Sequence, residues 1–248
     1  MTDIIVPEQL DPDVELDRLA LRYNSAGHGA VKFLNALGGQ AENLIDQLPQ
    51  PVRAGLRDAT EQALNVSVSA AERSRRAVPD QASWVNTAVT TAMGAAGGAG
   101  GVSTALVELP LTTTLLFRTI QGTAAKYGFD PRAASTKYDS LRVFAAAGPL
   151  QSDDGADTAF LTVRLSVTGQ MLGGLAKVLA PRFSVVLGQK LAAQSVPVLG
   201  AMAGATTNFV YARYYEQIAH VQFGLRRLAL HSDVPGPQLV SRLREKMQ

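Results

Sequence analysis

Five polar side chains are embedded in otherwise apolar stretches of this chain: Glu108, Arg118, Arg164, Lys190 and Asn208. Glu108 is the one carboxylate between Asp80 and Asp130. A charge that enters a low-dielectric interior needs a partner. Glu108 paired with Arg118, Arg164 or Lys190 therefore reads as a buried structural network or as a polar ligand site. A carboxylate beside a helix start has a second use, because it meets exposed N–H groups and the positive end of the dipole. Asn208 suits hydrogen bonding across closely packed helices. A catalytic version of the same residues is a helical hydrolase in which Glu108 works with neighbouring cations. These five are the candidate ligand-binding residues; no catalytic residue is assigned.

Other chemistries find little material. The histidines are His28, His220 and His231, without an HExxH or His-rich tract, so no metal site is expected. His28 lies in Ser25-Ala26-Gly27-His28-Gly29, which reads as a helix junction. There is no cysteine, which removes thiolate nucleophiles and disulfides. Gly94 to Gly101 lacks the Lys-Ser/Thr of a phosphate loop, and no nucleophile-elbow or dinucleotide fingerprint occurs, so no cofactor is expected. With a formal charge of +2 on 248 residues, the chain lacks the concentrated basic face of a nucleic-acid binder.

The elements that would position these residues all show helical spacing, and the fold class expected is all-α: one multi-helix domain over residues 1–248, the first twelve residues flexible, with Gly/Ala-rich close-packed central helices. Leu34, Leu37, Ala41, Leu44 and Leu48 step by three and four up to Pro49. Val52, Leu56, Ala59, Ala63, Val66 and Ala70 continue into the basic run Arg73 to Arg76. Asp80 then caps a helix carrying Trp84. Pro110 is placed to open the next helix, with Glu108 flanking its start, and Gly128 to stop it. Asp130-Pro131 predicts a capped helix through Tyr138 and Phe144 to Gly148-Pro149. Further helices are expected over 156–180, 181–194, 197–230 and 235–247. In the third of these, Gly200, Gly204, Thr207, Tyr211, Tyr214, Ile218, Val221, Leu225 and Leu228 form a heptad-like seam, with Arg213, Glu216, Gln217, Arg226 and Arg227 on a solvated face.

Two uncharged tracts, Gln81 to Val107 and Leu191 to Ala212, are long enough as helices to cross a bilayer. Their Gly, Ala, Ser, Thr and Asn residues supply little transfer energy, and glycines interrupt the first. Tightly packed internal helices are the better reading. Cations at Arg73, Arg75, Arg76, Arg242, Arg244 and Lys246 suit a solvated surface or anionic headgroups. Gln238 to Met247 is amphipathic, apt to pack on the fold or on a membrane.

With the run Gly94 to Gly101, Glu108-Leu109-Pro110, Arg118 and Tyr127-Gly128-Phe129-Asp130, the chain resembles the EcsC protein family. A second hallmark is similar: Lys190, then Val196-Pro197-Val198-Leu199-Gly200-Ala201, then Asn208. The resemblance spans roughly residues 16–230. Glu108 departs from the aspartate commoner there. What the resemblance implies is an all-helical protein linked to membrane or export processes, the family's name deriving from a neighbour of an ATP-binding-cassette transporter. The expected protein is non-catalytic and acts at or near the membrane, binding lipid, an apolar ligand or a membrane transport component. A soluble protein-interaction scaffold is the blander alternative. The N-terminus lacks a basic and apolar leader, predicting a cytoplasmic location, peripheral at the inner membrane face.

Overall fold

The computed structural model describes residues 10–36, 45–77, 102–146, 161, 169–194 and 200–247. These form seven helices and no strand: α1 (Pro12–Ala36), α2 (Gln50–Ala77), α3 (Val102–Lys126), α4 (Ala134–Val143), α5 (Gly169–Gln194), α6 (Gly200–His231) and α7 (Gly236–Met247), with a 3-10 turn at Ile45–Gln47. The all-α expectation holds. Trp84 and most of the first glycine-rich tract lie outside the described residues.

Helix starts are set by local chemistry. Asp11 precedes Pro12, and its carboxylate accepts from the Asp13 N–H at 2.9 Å, an N-cap followed by a first-turn proline. From there Leu16, Leu19, Ala20 and Ala26 turn one stripe inward. The helix continues through Gly27 and His28, so that segment is no junction. It is described to Ala36; Leu37, Ala41 and Leu44 of the expected stepping lie outside the described residues, and Leu48 follows the 3-10 turn instead of closing an α-helix. In α2 the buried stripe is Val52, Leu56, Thr60, Ala63, Leu64, Ser67 and Ala71, whereas Val66 is exposed. The hydroxyls on that stripe are satisfied on their own helix: Thr60 donates to Leu56 O and Ser67 to Leu64 O.

Proline misleads twice. Pro110 lies inside α3 and Pro181 inside α5, so neither opens a helix. Each removes one amide and crowds the preceding turn, a cost of about 3 kcal/mol that burial of the surrounding face offsets. Glu108 accordingly lies within the body of α3 and does not flank its start.

Where α3 stops, the expected signal works as read. Gly128 has φ of 82°, Phe129 N–H bonds Ala124 O at 3.1 Å and Gly128 N–H bonds Ala125 O at 3.0 Å. This is the paired 6→1 and 5→2 closure of a Schellman motif, with Ala124 buried in the core and Phe129 packed against that core. Asp130-Pro131 starts a turn instead of a helix: the Asp130 carboxylate accepts from Arg132 N–H, and α4 begins at Ala134 after Ala133. The chain leaves α4 at Val143 through successive turn bonds, short of Gly148.

Helix α6 is the centre. It packs on α1, α3, α4, α5 and α7, while α2 packs on α3 and α5. The seam from Thr207 to Leu228 is buried throughout. With neighbours on several sides, α6 has no broad solvated face, and Glu216 and Arg226 are buried as well. Against α1 it runs antiparallel: Leu19 meets Gly224, and Arg22 donates to Gln217 at 3.0 Å. Phe144 anchors an aromatic layer with ring centroids 4.5 Å from Phe183, 5.3 Å from Tyr215 and 6.3 Å from Phe117. This ties α3, α5 and α6 to the end of α4.

Two glycines give opposite expectations. A Cβ on Gly224 would lie 2.5 Å from Leu19 Cδ2 and 3.4 Å from Tyr127 Oη, inside a filled core. A Cβ on Gly122, within α3, meets nothing within 4 Å. Gly122→Ala therefore raises stability by about 1 kcal/mol through helix propensity. Gly224→Ala forfeits that gain and loses about 1–3 kcal/mol to overpacking. Urea unfolding of the two variants checks both signs; an equal gain from both would remove the close α1–α6 approach.

Candidate functional site

Of the five candidate residues, three fall where their side chains are described, and all three are buried. Arg118 on α3 is 6% exposed, Lys190 on α5 2% and Asn208 on α6 2%. Arg164 lies outside the described residues, as does the Glu108 side chain. Arg118 follows Phe117 of the aromatic layer and donates to Ser74 Oγ on α2 at 2.9 Å. Ser74 in turn donates to Ala71 O at 3.0 Å. The arginine thus joins α2 to α3.

Register connects the other two. Tyr211 Oη donates to Val186 O at 3.1 Å, and five residues link α5 to α6. Lys190 follows Val186 by one turn on α5 and Thr207 precedes Tyr211 by one turn on α6, with Gln189 and Asn208 their neighbours in sequence. Lys190, Thr207, Gln189 and Asn208 are all buried. Gln189 Oε1 and Thr207 Oγ1 make no hydrogen bond among the described residues. Arg118 adjoins the aromatic layer through Phe117, while Lys190 and Asn208 each lie two turns along their own helices from the layer's Phe183 and Tyr215. Buried polar groups of this kind can tie packed helices together through hydrogen bonds.

Charge elsewhere in the core was not anticipated. Arg226 on α6 bonds Asp139 Oδ2 at 2.6 Å and Ser135 Oγ at 2.9 Å, both on α4, and its guanidinium lies 4.4 Å from the Phe129 ring centroid. Burial pushes the Asp139 carboxyl up to about 6 despite Arg226 and the nearby Arg142. Asp139 Oδ1 has no hydrogen-bond partner among the described residues. The signal available in sequence was the spacing Ser135–Asp139, one turn apart. His220, off the seam as expected, shares a 3.1 Å hydrogen bond with Tyr127 through Nδ1. Burial, then Arg22, Lys126 and Arg213, lower its imidazole to about 4.

The outer surface of α5 differs in kind. Lys177, Val178, Pro181, Arg182 and Val185 follow helical spacing and are exposed, Val178 to 73%. The whole of α5 carries no acidic residue. The amphipathic C-terminal segment behaves otherwise. In α7, Leu239, Val240 and Leu243 are buried against the body, Lys246 pairs with Asp17 of α1, and Arg242 approaches Asp13 at 3.9 Å. Its apolar face is therefore already occupied. No helix among the described residues is long and apolar enough to cross a membrane, and no group of three or more metal-ligating side chains occurs among them.

An all-helical bundle built around one long central helix, with a polar layer inside and a basic outer helix, defines the class. The chain belongs to the EcsC protein family, whose model matches residues 30–228. No curated protein and no solved structure matches it.

Proposed function

We propose that this protein is a non-catalytic binding protein that docks on an anionic membrane surface through the outer face of α5. The observation that carries the reading is Val178 and Val185 exposed beside Lys177 and Arg182 on a helix without a single acid. Apolar side chains between cations can enter the headgroup boundary while the cations meet lipid phosphates. The sequence pI near 9.0 favours the same partner. A link to a transport component at that surface follows from the family resemblance and belongs to the same reading.

Vesicle flotation provides the test. The protein is expected to float with vesicles containing anionic phospholipid at low salt, to ignore neutral ones, and to be released near 1 M salt, where the screening length falls to about 3 Å. Each basic residue near an anionic surface contributes about 1 kcal/mol. Lys177→Glu with Arg182→Glu should therefore lower partitioning more than about tenfold. Absence of flotation would end the membrane reading; flotation indifferent to the double variant would remove α5 as its surface.

A further inference from the structure

One face of α6 carries a polar stripe unrelated to the α5 surface. Arg213, Glu216, Gln217 and His220 are spaced by three, one and three residues, so they share a side of the helix. Two other elements lean over it. Arg22 of α1 donates to Gln217 Oε1 at 3.0 Å. From the end of α3, Lys126 Nζ lies 3.5 Å from Glu216 Oε1, and Tyr127 Oη reaches His220. Arg213 completes the set, 2.7 Å from Glu216 Oε2.

Cations predominate along this stripe among the described residues. Glu216 is buried, at 4% side-chain exposure, and lies beneath Lys126 and Arg213, which are about half exposed. Arg22 is exposed too and is held by a neutral amide. Among the described residues, Arg22, Lys126 and Arg213 thus gather around the Glu216 carboxylate and the Gln217 amide. The other charged neighbours of Tyr127 are Glu15, which is engaged by Arg18, and Arg227. Concentrating like charge costs free energy unless a counter-charge relieves it. Two arginines from different helices present flat forks suited to phosphate oxygens, and a lysine adds a point charge.

We propose that Arg22, Lys126 and Arg213, with His220 at the edge, form a binding site for an anionic phosphate group. Glu216 orients two of the cations from below, and Gln217 orients the third. Burial first, and then the same cations, keep His220 neutral while the site is empty. A bound phosphate anion opposes that local field, so the imidazole takes up a proton at higher pH and becomes a further donor to phosphate. The phosphate group belongs either to a small soluble ester or to a lipid headgroup.

The imidazole itself reports occupancy. In proton NMR, the His220 Cε1–H resonance (assigned with His220→Gln) is followed against pH in chloride and in inorganic phosphate at matched ionic strength. Phosphate should raise the His220 pKa by roughly one unit. Arg22→Gln with Arg213→Gln should weaken the response about tenfold or more while helicity is kept. Lys177→Glu with Arg182→Glu should leave it intact, which separates this site from the α5 surface. A His220 titration identical in the two salts would overturn the proposal, as would a phosphate shift that survives loss of both arginines. Vesicles bearing a phosphomonoester headgroup identify the source: binding that needs Arg22 and Arg213 and is competed by free phosphate marks a lipid ligand. A response to free phosphate without such vesicle binding marks a soluble one.

Discussion

Replacing Arg226 by methionine lowers the free energy of unfolding by about 3–5 kcal/mol, the loss expected when one partner of a buried ion pair is removed. The reason is geometric. Asp139 is fully buried on α4, and Arg226 is its 2.6 Å partner. The same guanidinium also holds Ser135 and covers the Phe129 ring, so it fastens α4 and the turn after α3 to the central helix. Removing it strands a carboxylate in a dry site, and the group keeps its proton to higher pH. The loss should accordingly be greater at pH 8 than at pH 5. Adding Asp139→Leu to Arg226→Met removes the stranded group and should recover most of the deficit. A double-mutant cycle in urea measures this coupling; additive losses would mean that the pair contributes nothing as a pair.

The second large effect is a pair of opposed pH dependences. Asp139 has a folded pKa of about 6, above its ordinary 3.8, so above pH 6 the fold carries the cost of ionising it. That cost, about 3 kcal/mol for a shift of this size, is relieved as pH falls from 6 toward 4. Acidification thus stabilises through Asp139. His220 works the other way, its folded pKa of about 4 lying below the ordinary 6.5. As pH falls from 6.5 to 4 the unfolded imidazole takes a proton that the folded one refuses, and stability declines. In the window from pH 4 to 6 the two slopes oppose each other. Relative to the parent, His220→Gln should gain stability on acidification, and Asp139→Asn should lose it. Denaturant midpoints across pH in acetate and cacodylate check the difference curves; two variants that track the parent would remove both titrations.

Legibility in the sequence followed the range of the forces involved. The turn at Gly128 and the seam of α6 were readable because each depends on residues within a few positions: a left-handed glycine in one case, repeated spacing in the other. The prolines were misread because Pro110 and Pro181 are local breakers whose effect tertiary packing overrides. Asp130-Pro131 carried the same signal as Asp11-Pro12, yet one caps a turn and the other a helix. Burial of Arg118, Lys190 and Asn208 was foreseeable from their apolar neighbours. Burial of Glu216 and Arg226 was not, because a single seam implies a solvated back, whereas α6 is enclosed by five other helices. Their partners on other helices lie at sequence distances that no periodicity encodes: Lys126 for Glu216, and Asp139 for Arg226.

Pro181 has one further consequence. It lies on the exposed side of α5, between Val178 and Arg182, where its ring pushes against the preceding turn and the Lys177 carbonyl loses its amide partner to water. A proline on the solvent side of a helix favours a bend with its crest toward solvent. A crested rod touches a flat sheet along its middle turns alone, so grip on such a surface would be shallow and quickly reversible.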